Sequence, residues 1–335
     1  MIKMFRNRSG KSHWGHLLAC LCALTLTAIG CGGGGGGGST PHLTYSGVST
    51  QAAITETNAQ TLADAALNAG SSGEALSGIA ALTEVDSLAD SPNRLLFMDF
   101  SQAIYSVMEE IDFLAATERD LTAAVETVSD STPGSCGGSA AFSIKVDDVS
   151  GIFSGSMTFS NYCNDGVIIN GGTSFSGQII PDTAEFGTFT FSFDYVTSTS
   201  GSESITMDGS IGFTIAGSTL STDMEMKIRD NNTNQVYMIE NYQMDITEMG
   251  AYDEFEINGR FYHPEEGYVD IVTTMPFKIY YTDEYPSEGE MVITGEGNTH
   301  ATLTAISNTQ CRLEVDTDGD GTSDYGPDTI DWVNL

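Results

Sequence analysis

From Ser139 onward, apolar and polar residues alternate with a period of two over most of the chain. Phe189, Phe191, Phe193 and Tyr195, for example, are separated by Thr190, Ser192 and Asp194. Successive side chains of a strand point to opposite faces, so this pattern builds strands with one buried and one wet face. Similar alternation marks 141–148, 152–162, 220–229, 235–246, 252–263 and 288–305. An apolar-x-Gly triplet recurs at Ile169-Asn170-Gly171, Met207-Asp208-Gly209, Ile257-Asn258-Gly259 and Ile293-Thr294-Gly295. The spacing between these glycines is uneven, so the repeat is at most degenerate. It fits an antiparallel meander of about ten to twelve strands. The glycines could be hairpin turns or mid-strand kinks, and the spacing leaves both open.

The segment before the sheet has a different composition. Residues 41–133 are rich in Ala and Leu, and 58–68 (NAQTLADAALN) reads as a short helix ended by Gly70. A second helix is expected over 74–88. Ser91-Pro92 supplies an N-cap followed by Pro at the first helical position. After it, Phe97, Phe100, Ile104, Val107, Ile111 and Leu114 fall at alternating spacings of three and four, the stripe of an amphipathic helix. Leu121, Val125 and Val128 suggest a continuation or a further helix. The expected fold is therefore α+β. A helical segment, 41–133, packs with a large antiparallel β-meander sheet or half-barrel over 136–335.

Charge narrows the partners. With 12 Lys+Arg against 46 Asp+Glu the formal charge is −34, which disfavours nucleic acid and anionic membrane surfaces. Hydrophobic residues make up 40% of the chain, enough to bury a core. Four of the bases (Lys3, Arg6, Arg8, Lys11) precede an apolar run from Leu17 to Ile29, too short for a membrane span. The run ends in Ala28-Ile29-Gly30-Cys31. This order resembles the lipobox of bacterial lipoproteins, with Ala28 where Leu is commoner. The resemblance covers about thirty residues and implies a signal peptide over 1–30, with Cys31 lipidated and becoming the new N-terminus. More than one acyl chain gives stable anchoring. Gly32 stands where an inner-membrane retention signal would place Asp, so the resemblance implies an outer-membrane anchor. Residues 31–40 then form a tether. Its glycines are not a phosphate loop, because no Gly-Lys-Ser/Thr follows. Its reach is about 17 Å.

An exported chain can keep disulfides. Removing Cys20 and Cys22 with the signal, and Cys31 to lipid, leaves Cys136, Cys163 and Cys311. A hairpin of 141–147 and 152–158 closed by Asp148-Val149-Ser150-Gly151 opposes Phe142 to Met157, Ile144 to Gly155 and Val146 to Phe153. Continuing that register sets Cys136 opposite Cys163, within bridging distance. A two-residue Ser150-Gly151 turn would leave the pair diagonal instead. Cys311 is expected as a buried free thiol or an intermolecular partner.

Near the C-terminus, Asp316-Thr317-Asp318-Gly319-Asp320-Gly321-Thr322-Ser323-Asp324 reads D-x-D-x-D-G-x-x-D. It resembles the first nine positions of an EF-hand loop and the calcium repeat of thrombospondin type 3 segments. Carboxylates at alternate positions converge when the chain wraps a small hard cation, and the sixth-position glycine permits the sharp turn. The resemblance implies Ca2+ held by the side chains of Asp316, Asp318 and Asp320, the Thr322 carbonyl, and Asp324 directly or through water. Pro327 occupies the twelfth position, where an EF-hand has its bidentate Glu. Asp328 or Asp331 could replace it. The bland alternative is a solvated acidic turn.

Little else suggests chemistry. Only His42, His263 and His300 follow the signal, and neither His-x-x-x-His nor Cys-x-x-Cys occurs. No Gly-x-Ser-x-Gly elbow is present. Met224-Glu225-Met226 fits a strand core better than a copper site. The last residues, Asp331-Trp332-Val333-Asn334-Leu335, lack the terminal aromatic common in membrane barrels, and acids fall on many strands, so a soluble sheet is expected. The expectation is a non-enzymatic cell-envelope lipoprotein whose calcium-stabilised β domain binds, adheres or builds, with its protein or ligand partner undetermined. The alternative is a carrier holding a hydrophobic ligand between sheet and helix. A hydrolase would need two facing carboxylates in a cleft.

Overall fold

The computed structural model describes residues 42–67, 69, 104, 126–147, 150–180 and 185–335. The signal region 1–30, the tether 31–40 with Cys31, the 74–88 helix and all of the Phe97–Leu114 stripe except Ile104 lie outside them. Fourteen strands form one antiparallel sheet in strict sequence order. They are β1 (Glu126–Pro133), β2 (Gly137–Val146), β3 (Ile152–Asn164), β4 (Val167–Ile180), β5 (Glu185–Ser200), β6 (Glu203–Ala216) and β7 (Thr219–Asp230). The second half comprises β8 (Val236–Glu248), β9 (Tyr252–His263), β10 (Gly267–Tyr280), β11 (Glu288–Thr294), β12 (His300–Ser307), β13 (Gln310–Asp316) and β14 (Tyr325–Asp331). The sheet is a meander that does not close, with β1 and β14 at its edges.

The fold is mainly β rather than α+β. Within 41–133, residues 42–55 run extended, 59–67 and 69 are helical, and 126–133 are β1. Val128, expected on a helix, lies instead opposite Ile144. Pairing with β2 outweighs the weak helical spacing: Thr127 and Val128 suit a strand, and Pro133 is tolerated at the end of an edge strand. The region read as one stretch, 288–305, is two strands, because a 3-10 turn at Glu296–Asn298 reverses the chain.

Burial follows the alternation. Phe153, Phe175, Phe189, Phe191, Phe193 and Phe213 fill the inner face in a row of ring contacts 5.1–6.4 Å apart. The helical residues 59–67 and 69 present Ala59, Leu62, Ala63, Ala66 and Ala69 to this face. Small alanines let the helix approach closely, and the buried Tyr242 hydroxyl donates to the Ala66 carbonyl at 2.9 Å. Ile104, helical and fully buried, joins the same cluster.

A line of β-bulges crosses the middle of the sheet. Two residues of β3 oppose Asn170, two of β5 oppose Gly171, and two of β8 oppose Glu225. The bulged strands carry Asn161, Tyr195 and Asn241 at positive φ. The Asn161 and Asn241 amides donate to the side chains of Asn170 (2.8 Å) and Glu225 (2.7 Å). Three glycines of the apolar-x-Gly triplet, Gly171, Gly209 and Gly259, are therefore mid-strand and not hairpin turns. A Cβ at Gly209 would run into the Glu225 carbonyl oxygen. Bulges bend and twist a strand, and repeating them at one level curls a wide sheet around its core. They also shift phase: Tyr195 leaves the inner face, and Val196 takes the buried place.

The β2–β3 hairpin has the expected register, with Phe142 opposite Met157, Ile144 opposite Gly155 and Val146 opposite Phe153. Asp147 donates to Ile152 to close its loop. A bulge near the hairpin's far end sets Gly137, not Cys136, opposite Cys163. The Cys136–Cys163 disulfide forms nonetheless, with Cα atoms 5.1 Å apart. Cys311 is free and fully buried; burial pushes its thiol up to about 11.

Segment 42–54 is a strap tied to the middle of β6 and then to the β9–β10 and β11–β12 turns. Leu43 N–H donates to the Asp208 carboxylate at 2.6 Å, and Val48 N–H donates to the Pro264 carbonyl. Gln51 pairs with Tyr268, Glu296 N–H donates to Ala52, and Ile54 N–H donates to the Thr299 hydroxyl. The strap then delivers the chain into the core at Ile54.

Candidate metal centre

The Asp-rich segment is the connection between β13 and β14. Asp324 N–H donates to the Val315 carbonyl at 2.8 Å, which pins the two ends of the loop together. Gly319 and Gly321 have φ of 75° and 85°, a region that favours glycine, and they turn the chain back over Asp316. Gly319 also lies so close to the Gly297 carbonyl that a Cβ would collide with it. The loop is thus packed on the turn between β11 and β12.

Asp316 is the loop's buried anchor, with no side-chain exposure. Its Oδ1 accepts from Asp318 N–H (3.2 Å) and Gly319 N–H (2.7 Å), and its Oδ2 from Gly321 N–H (2.7 Å). His300 Nδ1 lies 3.5 Å from Oδ2. Burial raises the Asp316 carboxyl's pKa, but the donors from Gly321, Gly319 and Asp318 and the His300 ring outweigh it, leaving it below the usual range. Asp324 is held low first by the Thr317 hydroxyl (2.7 Å) and then by the Thr317 N–H (2.8 Å). Both groups are therefore ionised at neutral pH.

Carboxylate oxygens of Asp316, Asp318 and Asp324 come within 4.8 Å of one another, on the scale of a small cation's coordination shell. Asp320 is not in that cluster: its carboxylate accepts from Thr322 N–H at 2.7 Å. Asp328 and Asp331 are also outside it; Asp328, on β14, opposes Leu313 of β13, and Asp331 accepts from Gln310 Nε2 at 3.0 Å. His300 was not tied to the loop by sequence reasoning. The signal was there, since running the Leu303–Leu313 register down the β12–β13 hairpin sets His300 opposite Asp316.

A cleft of about 200 Å³ lies on the wet face of β7, β8 and β9, lined by Thr219, Ser221, Asp245, Thr247, Glu254 and Glu256. Asp245 and Glu256 are cross-strand partners within it. These are the facing carboxylates a hydrolase would need. Glu256 is exposed and Asp245 half-buried. Among the described residues no helix is long and apolar enough to cross a membrane. Comparison with protein-family models, with curated proteins and with solved structures gave no match to this chain.

Proposed function

We propose that this chain is a non-enzymatic, lipid-anchored protein of the bacterial cell envelope. Its β domain is stabilised by calcium and serves a binding, adhesive or structural role. The observation that carries the reading is the convergence of Asp316, Asp318 and Asp324 in a glycine-turned loop. Their donor set is all oxygen and anionic, as hard divalent cations require, and contains no nitrogen or sulfur ligand. His300 lies beside Asp316 but is a poor ligand for such a metal.

Calcium would offset the repulsion of three carboxylates held together, so binding would stabilise the folded chain over the unfolded one. The anchor rests on Ala28-Ile29-Gly30-Cys31, with Cys31 as the lipidated residue and an outer-membrane location. The test is thermal unfolding of the mature chain in chelator and in 2 mM calcium, alongside Asp318→Asn. A ligand present at two to twenty times Kd raises stability by about 0.6–1.8 kcal/mol. The wild type should therefore melt a few degrees higher in calcium and the variant should not. A wild type that melts at the same temperature in both would reduce the loop to a solvated acidic turn.

A further inference from the structure

Asp253 lies outside the calcium loop and has an unusual setting. It is on β9, faces inward at the rim of the sheet, and is fully buried. Its Oδ2 has no hydrogen-bond partner among the described residues. Its Oδ1 receives one long hydrogen bond, 3.4 Å, from the Tyr281 hydroxyl. Across the ladder on β8 its direct partner is another acid, Glu248. On β10 it opposes Ile279. Lys278, the cation on that stretch, belongs by strand alternation to the other face, where it bonds Glu288 at 3.0 Å and lies over the Tyr252 ring. Among the described residues, the groups facing Asp253 are thus an acid, Glu248, and a phenol, Tyr281, with no counter-ion.

Tyr281 begins the 281–287 connection between β10 and β11. Asp283 N–H donates to Tyr280 at 2.8 Å and Ser287 N–H to Lys278 at 2.9 Å. Tyr285 stacks on Trp332 at 6.2 Å, and the Trp332 indole N–H is shared between the Pro286 and Ser307 carbonyls. Seating of this connection therefore also seats the C-terminal turn.

We propose that Asp253 is a proton-operated latch on the 281–287 connection. Protonated, it carries no charge opposite Glu248 and the connection stays closed; ionised, its repulsion by Glu248 outweighs the firmer bond that the Tyr281 hydroxyl makes to a carboxylate, and the connection opens. Burial first, and then Glu248, push its carboxyl up to about 6, against a smaller lowering by Tyr281. An acid whose pKa is higher in the folded state stabilises that state fully below the unfolded value of 3.8 and loses the contribution as pH rises through about 6. The latch is therefore closed in acid and released towards neutrality.

The test is amide exchange of Asp283 and Ser287 in the mature chain, corrected for intrinsic rates, at pH 4.5 and pH 7.5. Wild-type protection should fall about tenfold or more between the two. Asp253→Asn should hold one level of protection at both. Glu248→Gln should move the wild-type midpoint down in pH. Equal protection at the two pH values in the wild type, or an unchanged fall in Asp253→Asn, would overturn the proposal. Should that variant fail to fold, the carboxyl carbon of Asp253 in the wild type decides the question: a midpoint near 6 supports the latch, and one below about 4.5 removes it.

Discussion

Replacing both bridging cysteines tests how far the hairpin at the sheet's edge depends on its staple. Cys136–Cys163 spans 27 residues of sequence. In the chain-entropy model a closed loop of that length stabilises the fold by about 3.5 kcal/mol at 25 °C. The ladder is already broken by a bulge between Gly137 and Ser139, and Cys136 N–H to the Cys163 carbonyl, at 3.1 Å, is the backbone bond left beside it. For a β region of this size each kcal/mol is worth about 2–4 °C in melting temperature. The Cys136→Ser, Cys163→Ser double variant should therefore melt about 7–14 °C below the wild type by circular dichroism. Wild type with the bridge reduced should match it. A loss under about 3 °C would refute the reasoning and imply that the unfolded chain is already constrained there.

Two further outcomes follow from the packing of the inner face. Tyr242→Phe removes the donor to the Ala66 carbonyl inside the core and should lower stability by about 1–3 kcal/mol in urea titration; no change would mean that the helix is not held by this bond. Gly209→Ala forces a side chain against the Glu225 carbonyl at φ 134° and should cost about 2 kcal/mol or more. Gly212→Ala, on the same strand with its nearest neighbour 3.8 Å away, should stay within about 1 kcal/mol of wild type, so equal losses at the two would contradict the bulge-line account.

What could be read from the sequence was what local periodicity dictates. The β2–β3 register followed from a single hairpin assumption, because pairing Phe142 with Met157 fixes every later pair until a bulge intervenes. The helix near 58–68 followed from its alanine stripe. The bulges were not legible, since each is decided by the neighbouring strand, although Asn161 and Asn241 are residues that tolerate positive φ. Missing them misplaced Tyr195. Missing β1 came from its weak pattern: Val128 is its one aliphatic residue among Ser, Thr and acids, too little for a period-two signal. In the Asp loop the spacing pointed to Asp316, Asp318, Asp320 and Asp324; the first two and Asp324 converge, while Asp320 accepts from Thr322 N–H.

The central claim is that the β13–β14 loop holds calcium, and its most direct test is a calcium titration followed by backbone amide shifts. Gly319 and Gly321 donate to Asp316, so their amides should report the ion first. The account predicts saturable shifts at these residues and at His300, with a midpoint in the range of about 0.1–1 mM, abolished in Asp318→Asn. Amides of the loop that do not move up to 10 mM calcium, or that move alike in wild type and variant, would contradict it.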